Sequence, residues 1–160
     1  MSRLERWMLA QQPQRTVLDS PVSALKVVVP MLTDKDGEPL QTEHFVVVVL
    51  GGKLGVVDKT VISKGTRNMC LVDAGQIMRF ALTRKRQAAG VIVAHNHPSG
   101  SAKPSDKDNR VTDQVQKACR LLNIDLLDHM IVGACGDYYS YREAGYLSAT
   151  LPTLPSLGAR

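Results

Sequence analysis

GVIVAHNHPSG, residues 90–100, is the stretch on which the fold turns. Its first half, Gly90-Val91-Ile92-Val93-Ala94, is a short run of small and β-branched apolar residues, the composition of a central strand. Its second half breaks that pattern with two imidazoles one residue apart, then with Pro98 and Gly100, residues that interrupt regular structure. The run predicts a strand over residues 90–94 that delivers His95 and His97 to its carboxyl end, followed by a loop that continues through Pro104.

Outward from this strand the chain alternates between helical and extended patterns. Ser105 is an N-cap, and Val111, Val115, Ala118 and Leu122 recur at helical spacing, so a helix is expected over about residues 106–122. Two strands should follow, over about 124–132 and, after the Gly136-Asp137 turn, over about 138–141. On the amino side, Asp73 caps a helix expected to reach about Ala88, with Ile77, Phe80 and Ala81 as its apolar stripe, cations in its last turns and Gly90 closing it. Glu43 to Leu50 (EHFVVVVL) reads as a strand buried on both faces, turned at Gly51-Gly52-Lys53 into a second strand over about 54–63. Ser20-Pro21 opens a helix to about residue 32, interrupted near its end by Pro30, and Asp34 to Pro39 form a turn. Alternating strands and helices imply an α/β sandwich with a mixed sheet.

A length of 160 residues fits one domain, expected here over residues 20–147 between an N-terminal extension at 1–19, with a short helix before Pro13, and a flexible tail at 148–160. With 44 % hydrophobic and 22 % charged residues, the body of the chain has the composition of a folded protein. The net charge of +5 permits a polyanionic partner such as nucleic acid, but no aromatics interleave with the basic residues, and the Arg84-Lys85-Arg86 run reads as a solvated helix face. Three cysteines, Cys70, Cys119 and Cys135, are an odd number at wide spacing, which argues against a disulfide framework and for a reducing compartment. Apolar runs such as Phe45 to Leu50 are far too short to span a bilayer, so a cytoplasmic protein without a membrane partner is expected.

The chemistry concentrates at His95, His97 and Asp108. Two imidazoles at a strand end, turned together by Pro98, and a carboxylate on the first turn of the next helix make a set of three N/O ligands with room for water, the pattern of a catalytic zinc site. Ser105 shares that first turn with Asp108; it reads as an N-cap, and its hydroxyl is also a candidate to stabilise an oxyanion. A metal-bound water needs a general base. Glu43, a carboxylate opening an apolar strand, is the candidate, although an exposed strand start would explain it equally. His44 should face the opposite side from Glu43, whereas Asp128 and His129, inside a strand, are a candidate buried polar pair close to the site. No HExxH metalloprotease signature occurs, and the third position of H-N-H is not the glutamate that zinc deaminases require.

Taken together, Glu43-His44-Phe45, HNHPSG at 95–100, Pro104-Ser105, Asp108 and LLDHMIVG at 126–133 resemble the RadC-like branch of the JAB/MPN+ (JAMM) metallo-hydrolases, over residues 20–146. The resemblance implies a JAB/MPN fold similar to cytidine deaminase, with a mixed central sheet flanked by helices. It implies zinc held by His95, His97 and Asp108, Glu43 as the catalytic glutamate and Ser105 as the oxyanion-stabilising serine. Better-understood JAMM relatives hydrolyse peptide or isopeptide bonds, often at a ubiquitin-like C-terminus. Longer RadC-like proteins carry a helix-hairpin-helix region associated with DNA, which residues 1–19 are too short to contain.

Three functions therefore compete: a zinc-dependent peptidase or isopeptidase, a DNA-repair-associated accessory or DNA-processing protein, and a zinc-bearing interaction module without turnover.

Overall fold

The computed structural model describes residues 16–65, 72–84 and 87–147. The expected extension helix and tail lie outside them, as do Cys70, Lys85 and Arg86. The elements are helix α1 (Pro21–Val28), strands β1 (His44–Leu50) and β2 (Val56–Lys64), helix α2 (Ala74–Leu82), strand β3 (Gly90–His97), helix α3 (Asp106–Leu121), and strands β4 (Asp125–Gly133) and β5 (Tyr138–Ser140). The strands form one mixed sheet in the order β2-β1-β3-β4-β5. Only β3 and β4 run parallel, joined by α3; the other neighbours are antiparallel. This is the α/β sandwich, mixed sheet and flanking helices that the sequence pattern implies.

β1 is buried on both faces, as its unbroken apolar run demands. Its alternate residues divide the core. Phe45, Val47 and Val49 pack with Val91 and Val93 beneath α2 and α3, while Val46, Val48 and Leu50 pack with Ile92, Ala94 and Met130 beneath α1. Each fully buried aliphatic side chain contributes about 1.5–3 kcal/mol, so this doubly covered strand anchors both layers.

Three differences from the sequence reading bear on the layout. α2 ends at Leu82 instead of running to Ala88, at a Thr83 cap whose N–H donates to the Arg79 carbonyl and whose hydroxyl donates to the carbonyls of Arg79 and Phe80. Arg84 then leaves the expected solvated face: it pairs with Asp58 at 2.6 Å and lies 4.2 Å over the Phe80 ring. Gly90 does not close the helix, which ends eight residues before it, but begins β3 as expected, where a Cβ would come within 2.8 Å of the Leu127 side chain.

The third difference positions the site. β3 does not stop at Ala94 but pairs with β4 through His97, opposite Gly133. His95 and His97 therefore share one face by the two-residue period of a strand, not by a turn at Pro98. α3 also turns differently from its expected apolar stripe. Its buried positions are Asp108, Thr112, Val115 and Cys119, whereas Leu122 is exposed. The first half of the inward stripe is polar, and it faces the histidines.

Candidate metal centre

His95, His97 and Asp108 come together, with one ligand atom from each lying within 4.8 Å of the others. His95 Nε2 is 3.0 Å from His97 Nε2 and 3.1 Å from Asp108 Oδ1, and His97 Nε2 is 3.4 Å from Asp108 Oδ2. A tetrahedral ion with bonds of about 2.0–2.1 Å spaces its ligands by about 3.4 Å, so each pair of these side chains presents atoms at nearly the separation that such an ion imposes. His97 Nδ1 is 2.8 Å from the Ser101 carbonyl, which can only accept, so that nitrogen carries the proton and Nε2 offers its lone pair inward. These residues fit a metal ion by the chemistry and spacing of their donors, and the cluster can hold one.

The carboxylate is aimed by the start of its own helix. Ser105 and Asp108 form a capping box: the Asp108 N–H donates to Ser105 Oγ at 3.2 Å, and the Ser105 N–H donates back to Asp108 Oδ2 at 2.7 Å. The Ser105 hydroxyl donates its proton to the same Oδ2 at 2.7 Å. The SxxD spacing thus has a physical reason, since the third helical position that completes the cap is the one whose carboxylate meets the histidines. Burial would raise the Asp108 pKa, yet the His95 and His97 imidazoles and the Ser105 hydroxyl beside it hold it well below the usual carboxylate range. His97 moves the other way: the Asp108 carboxylate raises its pKa, helped by the Ser101 carbonyl and the charge of Glu43 against the cost of burial.

Glu43 sits just before β1, half-buried, with its carbonyl accepting from the Gly65 N–H at 2.7 Å. Its carboxylate is near enough for its charge to be felt at His97, although it is outside the three-residue cluster. His44 stays apart, its Nδ1 3.0 Å from the Thr42 carbonyl. Asp128 and His129 are both buried but do not pair as side chains. Asp128 accepts from the Ser140 hydroxyl and the Arg142 N–H, whereas His129 Nε2 lies 2.9 Å from His95 Nδ1. Burial drives the His129 pKa well below 6.5.

Two residues given no role from sequence support the site. Asn96, between the two histidines, points to the opposite face: it accepts from the His44 N–H at 2.8 Å and donates to the carbonyls of Leu40 and Thr42 at 3.0 Å each. It thereby ties down the segment that carries Glu43. Thr112, one turn beyond Asp108, has its hydroxyl 2.7 Å from the Asp108 carbonyl and 2.6 Å from His129 Nδ1. The loop after His97 is braced by Asp137, which accepts from Ala102 N–H at 2.9 Å, and by Gly133, where a Cβ would collide with Asp137 and the Gly100 carbonyl.

Residues 18–146 match the family described as the RadC-like JAB domain. A UPF0758 protein of Rubrobacter xylanophilus is 37 % identical over 142 residues, 89 % of this chain and 59 % of the relative. A UPF0758 protein of Symbiobacterium thermophilum is 40 % identical over 109 residues, 68 % of this chain and 45 % of the relative. One of Pelodictyon phaeoclathratiforme is 38 % identical over 105 residues, 66 % of this chain and 46 % of the relative. The chain thus spans about half the length of the curated relatives it matches. The matched region contains both sheet faces and every residue of the cluster, and the chain belongs to the RadC-like JAB domain family.

Proposed function

We propose that this chain is a zinc-dependent hydrolase of the JAMM type, cleaving a peptide or isopeptide bond. The observation that carries the reading is the set of three N/O-donor side chains whose atoms approach one another at 3.0–3.4 Å, held by outer hydrogen bonds and lacking a fourth protein ligand among the described residues. Such a set suits catalysis better than a structural role, which takes four protein ligands. His95, His97 and Asp108 would hold the zinc, and zinc so bound supplies a Lewis acid that makes water acidic near neutral pH. Glu43 takes the proton of the attacking water and returns it to the leaving amine, a role supported by its reach to His97. Ser105, exposed at the helix start, reaches a developing oxyanion by exchanging its hydrogen bond to Asp108 for one to the substrate.

A peptide substrate is also supported by an apolar recess of about 260 Å³ beside His97, lined among others by Leu25, Val29, Leu32, Pro39, Val132 and Tyr138. A ubiquitin-like C-terminus would present an extended chain of that kind. The cytoplasm is the compartment we propose. Cys119 and Cys135 are unpaired, and no helix among the described residues is long and apolar enough to cross a membrane.

Elemental analysis of wild type and His97→Ala tests the site: about one zinc per chain is expected, lost in the variant. Glu43→Gln should keep its zinc and lose at least about 100-fold in hydrolysis of a peptide or isopeptide library, the size of a general-base contribution. Full activity in that variant would remove Glu43 from the mechanism. The net charge of +5 favours one other reading, a DNA-associated accessory protein. Salt-dependent binding to duplex DNA, with no turnover of any peptide, would select it.

A further inference from the structure

His95 Nδ1, His129, Thr112 and the Asp108 carbonyl form an unbroken buried chain: 2.9 Å from His95 Nδ1 to His129 Nε2, 2.6 Å from His129 Nδ1 to Thr112 Oγ1, and 2.7 Å from Thr112 Oγ1 to the carbonyl. The chain begins on one ligand and ends on the backbone of another, closing a loop between β3 and α3. We propose that Thr112 and His129 are positioning residues that present His95 to the metal with its proton on Nδ1 and its Nε2 lone pair free. This inference deepens the zinc-site reading and rests on it.

The number of protons in the chain fixes the tautomers. The Asp108 carbonyl can only accept, so a Thr112 hydroxyl turned toward it donates its single proton there and presents only lone pairs to His129. His129 Nδ1 must then carry a proton. His129 is wholly buried, its ring stacked on Tyr141 at 4.9 Å and tilted against Phe45 at 5.6 Å, surroundings that keep an imidazole neutral and fixed. A neutral ring has one proton, so Nε2 accepts, and His95 Nδ1 must donate to it. Every group is satisfied, and the lone pair of His95 Nε2 points at Asp108 and His97.

The reverse setting is also hydrogen-bonded throughout: Thr112 donates to His129, His129 Nε2–H donates to His95, and His95 Nε2–H faces Asp108. That setting blocks metal binding. The Thr112 hydroxyl is therefore the part that lets the metal-competent setting form without leaving a buried donor unpaired, because it alone can turn from one acceptor to the other.

Thr112→Val keeps the shape and removes the rotor. A metal-competent His95 then obliges His129 to bury an unpaired Nδ1–H, and the blocked tautomer gains. Zn²⁺ affinity, measured on the full chain by chelator competition, should fall about 10- to 100-fold, the range for loss of an outer-shell partner. Thr112→Ser, which restores the hydroxyl, should return to within a few-fold of wild type. Long-range ¹H–¹⁵N spectra of the zinc-loaded and zinc-free proteins report which ring nitrogen of His95 and His129 carries the proton. The zinc-loaded wild type should show Nδ1–H on both rings, and zinc-free Thr112→Val should show Nε2–H on both. If wild type binds no zinc, the site reading falls and takes the inference with it. If wild type binds zinc and Thr112→Val matches it in affinity and tautomer, the inference alone is overturned.

Discussion

Helices α2 and α3 pack on the same face of the same sheet and do different work there. α2 turns Ile77, Met78 and Ala81 inward, all apolar, and joins the core with nothing left over. α3 turns Asp108 and Thr112 inward before it reaches Val115 and Cys119. The caps differ in the same way. Asp73 begins α2 by accepting the Gly75 N–H at 2.8 Å and otherwise faces solvent beside Arg79, whereas the box that begins α3 orients the very carboxylate that meets His95 and His97. Burying two polar side chains costs stability unless each is fully partnered. Here each one is, through the histidines, so the helix is held to the sheet by the polar cluster as much as by apolar contact.

The comparison breaks most visibly if one inward residue is removed from each helix. Asp108→Ala should lower zinc affinity by more than about 100-fold, beyond the loss typical of outer-shell changes, because a ligand is gone. Ile77→Ala should instead cost about 2–5 kcal/mol of stability, the range for emptying a buried aliphatic site, and retain one zinc per chain. Denaturant melts paired with elemental analysis separate the two, and loss of zinc in Ile77→Ala would erase the distinction drawn between the helices.

A smaller effect sharpens it. Ser105→Ala and Asp73→Ala each remove an N-cap, and each should cost about 0.5–2 kcal/mol. Only the first should also weaken zinc, by about 10-fold, because the Ser105 hydroxyl restrains Asp108 Oδ2. Equal zinc affinity in the two variants would reduce Ser105 to a cap and nothing more.

The same contrast explains what the sequence made legible. β1 could be read to its burial pattern, because an unbroken β-branched run has one explanation. The grouping of His95, His97 and Asp108 could be read because H-x-H and S-x-x-D are local. The end of β3 could not: Pro98 and Gly100 pull an apparent boundary back, and only the distant Gly133, paired with His97, lets the strand continue. The inward stripe of α3 was hidden because hydrophobic periodicity ignores Asp108 and Thr112. Thr112 and Asn96 gave no signal because their partners are far along the chain, His129 being 17 residues from Thr112 and His44 52 residues from Asn96. His129 stood out as a buried histidine, but its neighbour Asp128 drew the pairing wrongly, since adjacent residues of a strand face opposite ways.

The smallest expected effect is a pH dependence that belongs to the α3 cluster and not to α2. In the zinc-free protein the Asp108 carboxylate raises the His97 pKa above 6.5. Below 6.5 the imidazole is charged both folded and unfolded, and the attraction is present in full; as pH rises through the folded value the proton leaves and that stability is lost. His129, lowered by burial, acts on the other side: the unfolded chain binds its proton below 6.5 and the folded protein does not, so stability is lost as pH falls. Zinc-free melting temperature should therefore peak near pH 6.5 and decline by a few degrees on either side. The Arg79–Asp73 pair of α2, exposed and 3.7 Å apart, adds little to stability, because solvent screens it. Zinc affinity should run against the alkaline limb, rising with pH as His97 gives up its proton, and calorimetry in two buffers of different ionisation enthalpy should detect proton release on binding. His97→Gln should flatten the alkaline limb alone; an unchanged limb in that variant would assign the titration to another group and detach His97 from the electrostatics of the cluster.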